Sequence, residues 1–250
     1  MSPVTTLRLT AFDAMTFDVY GTLIDWEPTI ISMFQSVADQ YGVRLSREQF
    51  LLDFDAARVQ LQRVRPALLY PEVLRHAYAR FCEKYRIPVD APEQEVFGRS
   101  VMLWPAFDDT RAALAYLAKH FKLGLLSNID ESSLAYSHRK LGVIADVVVT
   151  AERVAAYKPD LAHFEAAFKD FGKLGIPKER ILHVGQSLRA DVIPANKLGI
   201  RSVWINRPGR SLGSRPEDAY GANPDLTVST LAELVQMHRD QSEGVNTSAT

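Results

Sequence analysis

The feature that most constrains the fold of this chain is a repeated alternation between short apolar runs and longer amphipathic segments. Five apolar runs, bounded by turn residues, have the length and composition of buried strands: residues 14–19, 122–126, 146–149, 181–184 and 201–205. Between the later runs lie segments with helical length and periodicity, at residues 110–120, 132–141, 161–171 and 191–198. This alternation predicts an α/β fold, with a doubly wound parallel sheet and helices on both faces.

Residues 27–104 break this rhythm, since they contain helical patterns and no convincing strand. Ser46 followed by Gln49 is a capping-box start for one helix, and prolines at positions 66, 71, 88 and 92 separate the others. We therefore expect an all-helical domain inserted after the first strand. The predicted division is an α/β core of residues 1–26 and 105–240, a helical domain of residues 27–104, and a polar, disordered tail of residues 241–250.

Charge and hydropathy narrow the class of partner. The 29 basic and 30 acidic residues are interspersed and give a formal net charge of -1, so no basic stripe is available for a nucleic acid or an anionic membrane. No apolar run approaches the roughly 18 residues that a membrane span requires, and the N-terminus lacks a signal-peptide pattern. The single cysteine, Cys82, cannot form an internal disulfide. We expect a cytoplasmic protein that acts on a small molecule.

Polar and charged side chains follow the predicted strands. In an open parallel sheet the ligand site lies outside the carboxyl ends of the strands, so these positions are the candidates for chemistry. Four segments carry such groups: Asp18 to Thr22, Ser127-Asn128, Lys158-Pro159 and Gly185 to Asp191. The sequence therefore predicts that two carboxylates, a lysine and hydroxyl groups converge at one end of the sheet.

These four segments resemble, in their order, the four motifs of the haloacid dehalogenase superfamily, and the resemblance covers about residues 12–207. The helical insertion resembles the cap domain of that family. The resemblance implies that Asp18 attacks the substrate and forms a covalent ester. It implies that Lys158 keeps this carboxylate ionised, that Thr22 hydrogen-bonds it, and that Asp191 places or deprotonates the water that hydrolyses the ester.

Two positions favour one branch of the family. Phosphatases of the superfamily usually carry a second Asp two positions after the nucleophile, which protonates the leaving alkoxide, and here that position is Tyr20. They also commonly have an acidic ligand for Mg²⁺ where this chain has Gln186. A halide ion needs no proton to leave. We therefore favour the type II 2-haloacid dehalogenase-like branch, an EC 3.8.1 type of hydrolase that converts 2-haloacids to 2-hydroxy acids without a metal or another cofactor.

The substrate of such an enzyme is a small anion. The predicted binding residues are Tyr20, Ser127, Asn128, Ser187 and Arg58. In known dehalogenases of this branch a cap arginine helps to hold the halide; Arg58 is the nearest match, and Arg63 and Arg65 compete with it. The chain departs from the branch at Phe164, where Tyr is common, and at Ser187, where Asn is common. The resemblance also implies a homodimer through cap or core helices.

Other interpretations of the same residues stay open. A Mg²⁺-dependent phosphatase acting on a small phosphate ester is the alternative enzyme, and a non-catalytic binding member of the fold is the third hypothesis. Asp18 could be a turn residue, and Asp191 could cap the helix that ends at Leu198. His163 and His183 have no third ligand or triad partner at a suitable spacing, so we interpret them as structural.

Overall fold

The core of the molecule is a six-stranded parallel sheet. Its strands are β1 (Ala14–Phe17), β2 (Lys122–Ser127), β3 (Val147–Thr150), β4 (Ile181–Gly185), β5 (Arg201–Ile205) and β6 (Leu226–Val228). They are ordered β3-β2-β1-β4-β5-β6 in a computed structural model that describes residues 7–65, 67–210, 212 and 220–247. The predicted doubly wound sheet is confirmed. Strand β6 is not among the predicted strands, because three residues at a sheet edge are too short for a recognisable pattern.

The segment between β1 and the rest of the sheet is helical, as predicted. Its helices are α1 (Glu27–Gln40), α2 (Arg47–Leu61), α3 (Tyr70–Lys84) and α4 (Ala91–Gly98), followed by a 3₁₀ turn at Ser100–Leu103. The Ser46 side chain accepts a hydrogen bond from the Gln49 backbone and caps α2. Phe34 lies within ring contact of four other phenylalanines of the insertion, so this segment has an aromatic core of its own.

Within the described residues, six further helices surround the sheet. They are α5 (Thr110–Leu117), α6 (Glu131–Leu141), α7 (Ala151–Val154), α8 (Ala162–Lys173), α9 (Ile193–Leu198) and α10 (Leu231–Thr247). A single π-helical turn at Leu188–Val192 precedes α9. All four residues of β1 are buried. Met15 and Phe17 pack on one face of the sheet, whereas Ala14 packs on the other face with Phe164 and Phe171 of α8.

The expected disordered tail is wrong for residues 241–247, because α10 continues to Thr247. The Gln241 side chain accepts a hydrogen bond from the Leu9 backbone at 2.7 Å and donates one to the Leu7 carbonyl at 2.9 Å. These bonds attach α10 to the segment before β1. Residues 248–250 lie outside the described residues, and the domain boundaries at residues 26 and 104 remain predictions. No helix in the described ranges is long and apolar enough to cross a membrane.

Core side chains hold the helical insertion over the sheet. Lys140 of α6 donates hydrogen bonds to the carbonyls of Met102 and Trp104, at 2.7 and 2.6 Å. The Tyr157 hydroxyl donates to the Leu68 carbonyl at 2.7 Å. The insertion therefore covers the carboxyl ends of the strands. A crevice is expected there between β1 and β4, because the strand order reverses at this point of the sheet.

Candidate active site

The centre of the site is a buried lysine that joins two carboxylates. Lys158 Nζ donates hydrogen bonds to Asp18 Oδ1 at 2.9 Å, to Asp191 Oδ1 at 2.7 Å and to the Leu126 carbonyl at 2.8 Å. All three ammonium hydrogens are therefore used. Asp18 follows β1 and Asp191 lies in the π-helical turn after β4, so the pairing of Phe17 with Val184 brings both to one crevice. The predicted convergence of Asp18, Lys158 and Asp191 is found.

The loop after β1 holds the second oxygen of Asp18. Thr22 Oγ1 donates to Asp18 Oδ2 at 2.8 Å and accepts a hydrogen bond from the Gln186 backbone at 2.9 Å. Gly21 has φ +96°, and a Cβ added there would lie 3.0 Å from the Gln186 side chain. Arg207 donates two hydrogen bonds to the Thr22 carbonyl. Thr22 therefore contacts the carboxylate as the sequence predicts.

Asn128 acts on the backbone of the lysine. Its Oδ1 accepts from the Lys158 N–H at 2.6 Å, and its Nδ2 donates to the Lys158 carbonyl at 3.1 Å. This pair of bonds fixes the residue that carries the ammonium group. Asn128 also lines the cavity in front of Asp18, whereas Ser127 is completely buried and is not part of that lining. The Ser127 hydroxyl has no hydrogen-bond partner among the described residues, and its contact with a substrate stays a prediction.

Burial and charge act against each other in this cluster. Burial raises the pKa of Asp18 above its ordinary value, although Lys158 and Thr22 act in the opposite direction. Burial also works to raise the pKa of Asp191, but Lys158 and His183 outweigh it and hold that pKa at about 2. Burial alone would lower the pKa of Lys158, yet the two carboxylates raise it. The lysine is therefore charged, and Asp191 is ionised at neutral pH.

A small cavity of about 60 Å³ lies between this cluster and the helical insertion. Trp26, Phe54 and Tyr70 form an aromatic wall opposite Asp18. Burial raises the pKa of Tyr70 to about 12, so its hydroxyl is neutral. Ser187 lines the core side, and its hydroxyl accepts a hydrogen bond from the Ala190 backbone. The volume suits only a small substrate.

Arg58 is the arginine of the insertion that reaches this cavity. Its guanidinium forms an ion pair with Asp55 and lies 5.9 Å from the centre of the Trp26 ring. Its Nε is buried and has no hydrogen-bond partner among the described residues. Arg63 and Arg65 are exposed, and Arg65 bonds the carbonyls of its own loop. The geometry therefore selects Arg58 from the three candidates.

Tyr20 lines the cavity, but its hydroxyl is engaged elsewhere. It lies 2.9 Å from Ser137 Oγ of α6, and the ring packs edge-on against Trp104. Burial raises the pKa of Tyr20 well above its ordinary value. The Tyr20 hydroxyl is therefore a poor proton donor for a leaving group.

The interpretation of Asp191 as a helix cap is wrong. Ser187 caps the π-helical turn, and Asp191 instead accepts hydrogen bonds from Lys158 and from the Ser187 backbone. Gly185 permits this arrangement, because a Cβ at that position would lie 2.5 Å from the Asp191 side chain. His183 also contacts Asp191, so it is not remote from the site. His163 bonds the Ser127 carbonyl, and burial lowers its pKa to about 3.

The sequence from residue 12 to residue 199 matches the haloacid dehalogenase-like hydrolase family. This match spans most of the chain and contains Asp18, Lys158 and Asp191. The protein belongs to the haloacid dehalogenase-like hydrolases. The resemblance stated from the four motifs is confirmed.

Several proteins are similar to this hydrolase over most of their length. It is 25% identical to (S)-2-haloacid dehalogenase H-109 of Pseudomonas putida over 89% of this chain and 96% of the relative. It is 24% identical to haloacetate dehalogenase H-2 of a Moraxella species over 90% and 97% of the two chains. Phosphatases match over a shorter stretch: phosphoserine phosphatase of Thermus thermophilus is 31% identical over 58% of this chain and 57% of the relative.

The solved structure of L-2-haloacid dehalogenase from Xanthobacter autotrophicus, with chloropropionic acid covalently bound, has the same fold. It superimposes with a TM-score of 0.73 at 18% identity, over 91% of this chain and 98% of that one. At this level of identity the likeness establishes the fold of the hydrolase, including a parallel sheet with a helical insertion, and not its substrate.

Several cavity residues of this hydrolase were missed by the sequence analysis. They are Trp26, Phe54, Asp55, Tyr70, Arg189, Ala190 and Leu212. Arg189 stands inside the fourth motif, so its position was a signal that could have been used. The residues of the insertion gave no such signal, because helix periodicity does not tell which face of a helix meets a neighbouring domain.

The residues of this site do not fit the Mg²⁺ that phosphatases of the superfamily use. Lys158 Nζ lies within hydrogen-bond distance of Asp18 and Asp191 and fills the place between them. All four oxygens of these carboxylates accept hydrogen bonds from the protein. Gln186 supplies no charge, and its amide donates to the Leu212 carbonyl. In the part of the chain that is described, no three His, Cys, Asp or Glu side chains are grouped to hold a metal ion.

Proposed function

We propose that this protein hydrolyses the carbon–halogen bond of small 2-haloacids, through an ester on Asp18, and releases 2-hydroxy acids. The observation that carries the proposal is the environment of Tyr20. Tyr20, two positions after Asp18, carries no carboxyl group, and its hydroxyl lies 2.9 Å from Ser137 Oγ. An alkoxide leaves slowly without a proton, whereas a halide ion is so weak a base that it leaves without one.

In the first step, an oxygen of the Asp18 carboxylate forms a bond to C2 of the haloacid. The carbon–halogen bond breaks, and the halide departs with its electron pair. Lys158 donates a hydrogen bond to Asp18 and acts against the burial that raises the pKa of this carboxyl group, so it favours the ionised form that attacks. The step needs no proton donor and no metal, which suits a site whose two carboxylates are joined by an ammonium group.

In the second step, water attacks the carbonyl carbon of the Asp18 ester. Asp191 accepts a proton from this water and passes it to the alkoxy oxygen as the bond between that oxygen and the ester carbon breaks. The 2-hydroxy acid leaves as an alcohol, and the Asp18 carboxyl group that is formed loses its proton to solvent. Asp191 is ionised at neutral pH, so its carboxylate can accept a proton. Its hydrogen bond to Lys158 places it beside the carboxylate that carries the ester.

Arg58 is the proposed binding residue for the halide. Its Nε–H, which has no hydrogen-bond partner within the described part of the chain, is a donor in a wall that also contains Trp26 and Phe54. Burial among aromatic side chains lowers the local dielectric constant and strengthens the attraction between the guanidinium and a departing anion. Asn128 and Ser187 line the same cavity and are proposed to bind the carboxylate of the substrate. The cytoplasmic location and the homodimer remain expectations.

The test is halide release from chloroacetate, fluoroacetate and each enantiomer of 2-chloropropionate in the presence of EDTA. A parallel assay measures phosphate release from p-nitrophenyl phosphate with Mg²⁺. We expect halide release without metal, and its loss in the Asp18→Asn variant. Turnover in ¹⁸O-labelled water, followed by mass spectrometry of the peptide around residue 18, should place the label in the Asp18 carboxyl group.

The other two hypotheses give different results in the same assays. Strong phosphate release that requires Mg²⁺, with no halide release, would move the protein to the phosphatase branch. No turnover of any substrate would support a non-catalytic member of the fold. Halide release with ¹⁸O only in the product would retain the dehalogenase and remove the Asp18 ester.

A further inference from the structure

A buried histidine stands behind the proposed general base. His183 lies in β4 and is completely buried. Its Nδ1 is 2.9 Å from Thr16 Oγ1 of β1, and its Nε2 is 3.3 Å from Asp191 Oδ1. The ring is therefore held at both nitrogens, on one side by the neighbouring strand and on the other by the site.

The hydrogen-bond pattern fixes which nitrogen carries the proton. An ionised carboxylate only accepts hydrogen bonds, so His183 Nε2 must donate to Asp191. In a neutral ring Nδ1 is then the acceptor, and the Thr16 hydroxyl donates to it. Asp191 thus selects the form of His183 that points an N–H group at it, and the Thr16 hydroxyl is compatible with that form because it can donate to Nδ1.

The two oxygens of Asp191 differ in their hydrogen-bond partners. Oδ1 accepts from both Lys158 Nζ and His183 Nε2. Oδ2 accepts a single hydrogen bond, from the Ser187 backbone at 3.1 Å. A carboxylate oxygen has two lone pairs, so Oδ2 keeps one for a proton from water. The bonds to Oδ1 hold the carboxylate in the rotation that leaves Oδ2 available.

Thr16 and Asp191 are the hydrogen-bond partners of the His183 ring among the described residues. The ring of Phe164 packs edge-on against it, with 4.7 Å between the ring centres. Among the titratable groups of the site, His183 contacts Asp191; the others are Lys158, Asp18 and His163 of α8. None of these three has a described hydrogen bond to His183.

We propose that His183 is a positioning residue that holds Asp191 in the correct orientation for hydrolysis of the ester. This inference rests on the proposed function. The attack of Asp18 on the haloacid does not involve Asp191 as a base, so the first step is independent of His183. Loss of the histidine should therefore slow the second step alone.

The experiment is rapid-quench kinetics with chloroacetate on the wild type, His183→Leu and His183→Gln. In His183→Leu we expect a burst of one halide per enzyme at close to the wild-type rate, followed by turnover that is about 10- to 100-fold slower, as for loss of a hydrogen bond to a charged group. The ester should accumulate as a mass increase on the peptide that contains Asp18. His183→Gln keeps an N–H donor and should restore most of the lost turnover.

The matched control is His163→Leu, because His163 is also buried near the site but bonds the Ser127 carbonyl instead of Asp191. It should show no accumulated ester. The proposal is overturned if the halide burst slows as much as turnover, if no ester accumulates in His183→Leu, or if His163→Leu gives the same accumulation.

A second measurement judges the inference even if no haloacid is turned over. Protein labelled with ¹³C at the aspartate carboxyl groups is titrated by NMR, and the Asp191 signal is identified with Asp191→Asn. This signal should titrate at a higher pH in His183→Leu than in the wild type. An unchanged titration would overturn the role of His183, whereas absence of halide release from the wild type would count against the proposed function only.

Discussion

The core side of the cavity and its cap side differ in how their polar atoms are bonded. On the core side, Asp18, Lys158 and Asp191 form a closed network in which every carboxylate oxygen and every ammonium hydrogen has a partner. On the cap side, the wall is aromatic, and Arg58 keeps one buried N–H group without a described partner. The hydrogen bonding of the three charged groups on the core side is complete before a substrate arrives, whereas that of Arg58 on the cap side is not.

This difference indicates a division of labour. A network of buried charges that is fully hydrogen-bonded holds its groups in one geometry, as a covalent reaction requires. An unpartnered donor in an apolar wall gains a bond only when an anion enters. We therefore expect changes on the core side to affect folding and chemistry together, and changes on the cap side to affect mainly substrate binding and departure of the halide.

The largest expected effect is that of Lys158→Met. Removing the ammonium leaves two buried carboxylates without compensation, which typically costs about 3–5 kcal/mol of folding free energy. Urea denaturation at pH 7 measures it. The pKa of both carboxyls should rise above the unfolded value in the variant, so the folded state binds more protons and the variant should recover stability as the pH falls from 7 towards 5. A variant as stable as the wild type at pH 7 would contradict the closed network.

On the cap side, Arg58→Met should lower kcat/KM for chloroacetate by about 10- to 100-fold, the equivalent of one hydrogen bond to a charged group. Halide release measures this effect. Arg63→Met is the matched control, because Arg63 lies in the same insertion and is exposed. Equal losses in the two variants would remove Arg58 from the site.

Thr22→Val tests how the core side keeps its nucleophile ionised. Asp18 attacks as a carboxylate, so activity should be lost as the pH falls through its pKa, which burial raises. Removing the Thr22 hydroxyl takes one hydrogen bond from the ionised form and should raise the pKa of Asp18 further, moving the acid limb of kcat/KM up by about one pH unit. Thr22→Ser keeps the hydroxyl and should leave the limb in place. A limb that moves equally in both variants would point to a change in packing.

The smallest expected effect is that of Tyr20→Phe, which removes only the hydrogen bond to Ser137. Turnover of chloroacetate should change less than about threefold, and unfolding free energy by about 1 kcal/mol, the usual contribution of one hydrogen bond. Thermal unfolding and halide release measure the two quantities. A large loss of turnover with stability intact would show that the Tyr20 hydroxyl takes part in the reaction.

The sequence by itself determined the sheet and the core side of the site. Apolar runs identify buried strands, and in a parallel sheet the residues after those strands meet at one edge. The proximity of Asp18, Lys158 and Asp191 could therefore be predicted, and the three side chains are hydrogen-bonded in the structure. The same reasoning missed the three-residue strand β6 and the continuation of the last helix past residue 240. Those elements depend on edge pairing and on long-range bonds such as that between Gln241 and Leu9.

Only the tertiary structure decided the cap side and the partners of the catalytic groups. The sequence left Arg58, Arg63 and Arg65 as competitors, because the rotation of a helix against another domain is set by packing at a distance in the chain. It also left Asp191 as a possible helix cap and His183 as a structural residue, although the two side chains are in contact. The physical reason is the same in each case. The periodicity of a segment and the residues that follow a strand are local properties of the chain, whereas the choice of a hydrogen-bond partner depends on which buried groups the completed fold brings within about 3 Å of one another.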